Sequence, residues 1–242
     1  MTLPAEWLGG SGDVLVYGHW GRPLLVFPSE AGAAHDYEAN GMIGAIEDLI
    51  EAGRTKVYCI PSFDDGSWRQ QALPLEDRAR LHGLYERWVM ERVCPFVDDD
   101  CGGFQDIAVT GSSFGAYHAA NFALRHADRF GLAICLSGVY DIGRLPGNPG
   151  RGDETYFQNP VDYVPHLHGD HLAWLRAHLS LLLVCGQGTW EDSTGALPST
   201  RHFASLLAER GIRHELDLWG HDIPHDWPSW RAQIAHHLPR FV

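Results

Sequence analysis

The chain has 242 residues, 45% of them hydrophobic and 20% charged, which is enough for one well-buried core. Eighteen Lys plus Arg against 31 Asp plus Glu leave a net charge of -13; this repels a phosphate backbone and provides no counterion-release drive, so nucleic acid is not an expected partner. Apolar runs such as Leu179 to Cys185 fall far short of the roughly 20 residues a membrane helix needs, and Met1-Thr2-Leu3-Pro4-Ala5-Glu6 has neither a basic nor an apolar leader, so the expectation is a cytoplasmic protein without a membrane span.

In chain order, Asp13 to Tyr17 and Leu24 to Phe27 read as a hairpin joined by the turn-rich Gly18-His19-Trp20-Gly21-Arg22. Strand and helix then alternate: helix Gly41 to Glu51, strand Lys56 to Ile60, helix Glu76 to Val93, strand Ile107 to Thr110, helix Gly115 to His126 and strand Leu132 to Leu136. Strand Leu181 to Cys185, helix Thr200 to Arg210, strand Glu215 to Trp219 and helix Ser229 to Leu238 complete the series. The pattern predicts one α/β domain over 1–242: a mostly parallel central sheet with antiparallel N-terminal strands and helices on both faces. Segments 61–74 and 140–171 break the alternation and read as loop excursions, the usual place for lids and substrate walls.

Gly111-Ser112-Ser113-Phe114-Gly115 lies between the strand Ile107 to Thr110 and an Ala-rich helix, the setting of a nucleophile elbow. Only Ser113 has a glycine two residues away on both sides, so it is the expected nucleophile. A serine hydroxyl needs a histidine to take its proton, and that histidine needs a carboxylate to fix its tautomer. Two later strands each end in a suitable loop: Gly186-Gln187-Gly188-Thr189-Trp190-Glu191-Asp192, and Gly220-His221-Asp222-Ile223-Pro224-His225-Asp226-Trp227. Local chemistry alone leaves Glu191 and Asp192, and His221 and His225, as alternatives. Asp222 and Asp226 read as solvated or capping residues.

Three segments, the elbow, Cys185-Gly186-x-Gly188-Thr189 with Asp192, and His225-x-Trp227-x-x-Trp230-x-x-Gln233, resemble the esterase branch of the α/β-hydrolase superfamily. That branch includes esterase D-type thioesterases, feruloyl esterases and secreted mycolyltransferases. The resemblance implies an α/β-hydrolase fold and points to Asp192 as the acid and His225 as the base. It implies a carboxylic ester or thioester hydrolase working through an acyl-enzyme, with a small-molecule ester or acyl substrate and no cofactor. An acyltransferase with the same triad and a non-catalytic binding protein on the same fold are the alternatives, and a homo-oligomer is compatible with the sequence.

The oxyanion donors expected in this fold are the Phe114 backbone N–H and one from the loop Pro28-Ser29-Glu30-Ala31-Gly32, with Ser29 and Glu30 as candidates because Pro28 lacks an N–H. Trp68, Trp190 and Trp227 are the pocket candidates; Tyr140, Tyr156 and Phe157 lie in the same set of loops. The string His166-x-His168-x-Asp170-His171 resembles a metallo-β-lactamase-type metal motif, but two prolines break the segment before it, and no metal site is expected. Asp64-Asp65 and Asp98-Asp99-Asp100 read as solvated turns. The five cysteines read as reduced core thiols, with Cys94 and Cys101 the one candidate pair for a disulfide. Lys56 is the single lysine and follows no Gly-rich phosphate loop.

Overall fold

The computed structural model describes residues 1–242. Nine strands form: β1 Thr2–Ala5, β2 Gly10–Asp13, β3 Leu15–Tyr17, β4 Arg22–Phe27, β5 Thr55–Cys59, β6 Ala108–Ser112, β7 Leu132–Leu136, β8 Ser180–Cys185 and β9 His214–Leu218. β1 and β2 pair as a small antiparallel ribbon, while the other seven build one sheet in the order β3-β5-β4-β6-β7-β8-β9, parallel except for β3.

The inner strands are apolar throughout because both faces are covered, and successive side chains serve opposite cores. Leu25, Phe27, Tyr58, Val109, Cys135 and Leu183 point into one core. Their neighbours Leu24, Val26, Val57, Ala108, Ile134 and Leu182 point into the other. The first core is closed by α3 Leu75–Trp88, α5 Phe114–Arg125, α8 Gly169–His178 and α9 Ala196–Glu209. The second is closed by α1 Asp36–Ala39, α2 Glu47–Glu51 and α10 Trp227–His237. α4 Cys94–Asp100 continues α3 through a π-helical turn at Val89–Val93.

The expected hairpin does not form. β3 pairs antiparallel with β5, and β4 pairs parallel with β5 and β6. The reason is the link between them: it crosses the start of β5, where the Arg22 N–H donates to the Arg54 carbonyl at 3.0 Å, and so places β3 and β4 on opposite sides of β5. The only hairpin-like pair is β1 with β2, in a stretch without a marked apolar alternation.

The 140–171 excursion contains two short helices, α6 Asp153–Gln158 and α7 Pro160–Tyr163, and a 3-10 turn at Val164–His166. Pro160 and Pro165, which read as breakers, sit in the first turns of such elements, where no N–H is needed. The two excursions are bonded to each other: Asn148 N–H donates to Gln71, Leu75 N–H to Asn148 and Glu76 N–H to Gly150. The fully buried Arg78 donates through Nη1 to the carbonyls of Trp68 (2.7 Å) and Pro146 (3.0 Å). All five cysteines are free, so Cys94 and Cys101 do not form the candidate disulfide. No helix is long and apolar enough to cross a membrane.

Candidate active site

The parallel strands end on one edge of the sheet, and the loops beyond those ends carry the polar groups. Ser113 follows β6 and precedes α5 with φ 57° and ψ -120°, a strained backbone for a side-chain-bearing residue. Its N–H donates to the Leu136 carbonyl at 2.8 Å. Close approach explains the two flanking glycines: a Cβ on Gly111 would lie 2.2 Å from the Gly115 carbonyl oxygen, and one on Gly115 would lie 2.4 Å from those of both Phe27 and Pro28. Ser112 turns to the other face of the sheet, buried with its Oγ 3.3 Å from the Tyr37 hydroxyl.

His225 Nε2 lies 3.0 Å from Ser113 Oγ, and its Nδ1 lies 2.9 Å from Glu191 Oε2. The carboxylate in line with the imidazole is therefore Glu191, which corrects the expectation of Asp192. Glu191 is fully buried, whereas Asp192 points into solvent and contributes only its carbonyl to the turn. Glu191 Oε1 accepts from Ser137 Oγ at 2.6 Å and from Gly186 N–H at 3.2 Å, so its charge is solvated by the protein. The two loops close on each other through Gly188 N–H to the Ile223 carbonyl and His225 N–H to the Thr189 carbonyl. A Cβ on Gly186 or Gly188 would stand 2.1 or 2.7 Å from the Ile223 carbonyl oxygen, which is the physical content of the Gly-x-Gly spacing. His221 is exposed, with Nδ1 3.3 Å from the Gln187 carbonyl, and Asp226 caps α10 by accepting from Ser229 N–H.

The start of α5 leaves the Phe114 N–H without an intrahelical acceptor. Ser29 and Glu30 sit just beyond β4; neither N–H donates within the protein, while the Ala31 N–H is taken by Asp64 Oδ2 at 2.9 Å. Pro28 packs directly against Gly115, which brings this loop to the elbow.

The three tryptophans separate. Trp190 is 58% exposed beside Glu191, and Trp227 packs edge-on against Tyr37 and Trp230. Trp68 is buried against His82 and Tyr117, so it is a packing residue and not a wall of an open pocket. Tyr140 is likewise buried, stacked on Phe203. Tyr156 and Phe157 line a cavity of about 490 Å³ with Arg125 and His126, at the far end of the 12-residue α5, roughly 18 Å along the helix from Ser113.

Asp64, read as a solvated turn, is 1% exposed with Oδ1 3.1 Å from His118 Nε2, and its neighbour Asp65 is exposed. Asp98 and Asp100 are bonded to Arg129 and to Lys56 and Tyr58, so they too are more than solvated turns. Lys56, at the opposite end of its strand from the elbow loops, pairs with Asp100 at 2.7 Å. His171 Nε2 lies 3.0 Å from the Leu124 carbonyl, and no three His, Cys, Asp or Glu side chains converge as metal ligands.

This sheet, with an elbow after its central strand and helices on both faces, is that of an α/β-hydrolase. A family model described as "Putative esterase" matches residues 26–241, and the chain belongs to that family of carboxylic ester hydrolases. The fold is similar to a ferulic acid esterase (TM-score 0.75, 18% identity, covering 99% of this chain and 95% of that one). It is also similar to MPT51 (FbpC1) of Mycobacterium tuberculosis (TM-score 0.74, 16% identity, 99% and 96% covered). A third likeness is to the fluorophosphonate-binding serine hydrolase F of Staphylococcus aureus (TM-score 0.70, 14% identity, 99% and 96% covered). Among curated proteins no sequence match is found.

Proposed function

We propose that this esterase is a serine hydrolase of small carboxylic esters or thioesters that works through a Ser113–His225–Glu191 triad. The observation that carries the reading is the continuous hydrogen-bond line Ser113 Oγ to His225 Nε2 (3.0 Å) and His225 Nδ1 to Glu191 Oε2 (2.9 Å). Glu191 accepts the Nδ1–H and so leaves Nε2 free to take the Ser113 proton as Oγ attacks the carbonyl carbon. The imidazolium then gives that proton to the departing alcohol or thiol, leaving an acyl group on Ser113. Water, deprotonated by the same nitrogen, releases the acid and restores the serine.

The tetrahedral oxyanion is held by the Phe114 N–H together with Ser29 or Glu30 N–H, groups that have no acceptor within the protein. Trp190 and Trp227 flank the entry and contact the apolar part of the substrate. The test is labelling with a fluorophosphonate and hydrolysis of p-nitrophenyl acetate. Wild type is expected to do both and Ser113→Ala neither; equal labelling or hydrolysis by the two proteins overturns the reading.

A further inference from the structure

Asp64 makes two carboxylate connections that are unusual for a residue outside the triad. Its carboxylate is 1% exposed and sits in a 3-10 turn just after β5. Oδ2 accepts the Ala31 N–H at 2.9 Å, from the loop that carries Ser29 and Glu30. Oδ1 meets Nε2 of the fully buried His118 at 3.1 Å, on the first turns of α5. The His118 ring in turn packs edge-on against the Phe114 ring at 5.0 Å. One carboxylate thus ties together the two backbone segments that supply the oxyanion donors.

The loop needs such a tie. Ala31 has φ 53°, a region that side-chain-bearing residues avoid, and strain of that kind persists only where surrounding bonds hold it. A neighbouring bond, Ser62 N–H to the Gly32 carbonyl at 2.9 Å, comes from the same segment as Asp64 and fastens the next residue. Engaging the Ala31 amide also removes it from the set of free donors, leaving Ser29 and Glu30 as those presented to the elbow.

We propose that Asp64 is a positioning residue for catalysis: it fixes the distance between the Phe114 and Ser29/Glu30 amides, and so sets how well the oxyanion is bound without touching the substrate. The inference rests on the triad reading above. A buried Asp serving stability alone would lower the melting temperature and the fraction of active protein, but not turnover per active site.

The experiment uses the full chain with p-nitrophenyl acetate, active sites counted by fluorophosphonate titration carried to completion. In Asp64→Ala, kcat per site is expected to fall by about 30- to 100-fold, within reach of the loss seen when one oxyanion donor is removed, with KM within about threefold. The inhibition constant of a phenylboronic acid, which forms a tetrahedral adduct on the serine, is expected to rise with it. Asp64→Asn, whose amide carbonyl can still accept the Ala31 N–H, should recover kcat to within about fivefold of wild type. If Asp64→Ala does not fold, the same measurement is made with an ester in place of the Ala31 amide, which deletes one N–H and no side chain; a kcat loss of about tenfold or more is expected.

A kcat within threefold of wild type for Asp64→Ala, or for the ester if that is the protein measured, overturns the assignment, as does an Asp64→Asn no better than Asp64→Ala. Wild type without activity, or Ser113→Ala as active as wild type, removes both readings. An active wild type, an inactive Ser113→Ala and an unimpaired Asp64→Ala remove this one alone.

Discussion

Ser137 sits at the end of β7 with φ 52°, donating its N–H to the Val184 carbonyl and its Oγ–H to Glu191, while Trp230 Nε1 donates to the same oxygen at 3.1 Å. The Glu191 carboxylate is thus held by a side chain far from it in sequence, which is why Glu191 and Asp192 are indistinguishable in the sequence: both follow the strand in a loop without periodicity, and which of them turns inward is decided by a contact 54 residues away. The resemblance pointed to Asp192, whereas the carboxylate bonded to His225 Nδ1 is that of Glu191. Glu191→Gln is expected to lower kcat by roughly 10⁴, as loss of a triad carboxylate does elsewhere, whereas Asp192→Asn should remain within twofold in the same p-nitrophenyl ester assay. Ser137→Ala leaves Trp230 Nε1 and one Glu191 oxygen short of a partner, and is expected to cost about 1–3 kcal/mol of stability in a denaturant melt.

Among the elements, the inner strands were legible because burial on both faces writes them as unbroken apolar runs, and the helices of α3, α5, α9 and α10 because they are long. The elbow was legible for a similar reason: its glycines follow from backbone crowding that nothing else in the chain relieves. Strand partnership was not, since β3 and β4 carry no local mark of which neighbour each takes. The short helix α7 and the 3-10 turn after it were hidden by prolines at their starts, and α6 by its length of six residues. Asp64 was hidden because an Asp-Asp-Gly string looks like a turn whether its first carboxylate points outward or inward. The same crowding argument yields a prediction for the paired loops: Gly188→Ala would press a methyl against the Ile223 carbonyl and push the His225 loop from the Glu191 loop. Its kcat should fall at least tenfold while the thermal midpoint moves by only a few degrees, checked by turnover and melting on one preparation.

For the whole molecule, the buried ionisable groups set how stability depends on pH. Burial, with the neighbouring His118 in the same direction, holds His82 well below the usual 6.5, so the folded state keeps it neutral where the unfolded chain takes up a proton. Stability is therefore full above 6.5 and declines as pH falls below it. Burial alone would raise Glu86, but the hydrogen bond and charge of His126, with Arg125 and Gln158, outweigh it and bring the carboxyl down to about 2 from 4.5. Its contribution is present above 4.5 and is lost as pH drops toward 2. Melting temperature against pH should fall in two stages, and His82→Phe should flatten the upper stage, which begins below 6.5, while leaving the lower one intact. The clasp of Arg78 on the Trp68 and Pro146 carbonyls carries a different consequence at this scale. Residues 61–76 and 140–158 are joined by the backbone bonds of Gln71, Leu75 and Glu76 to Asn148 and Gly150 as well as by this guanidinium, so a chimaera that takes only one of the two segments from a relative loses both sets of bonds, and the pair has to be exchanged together with the arginine.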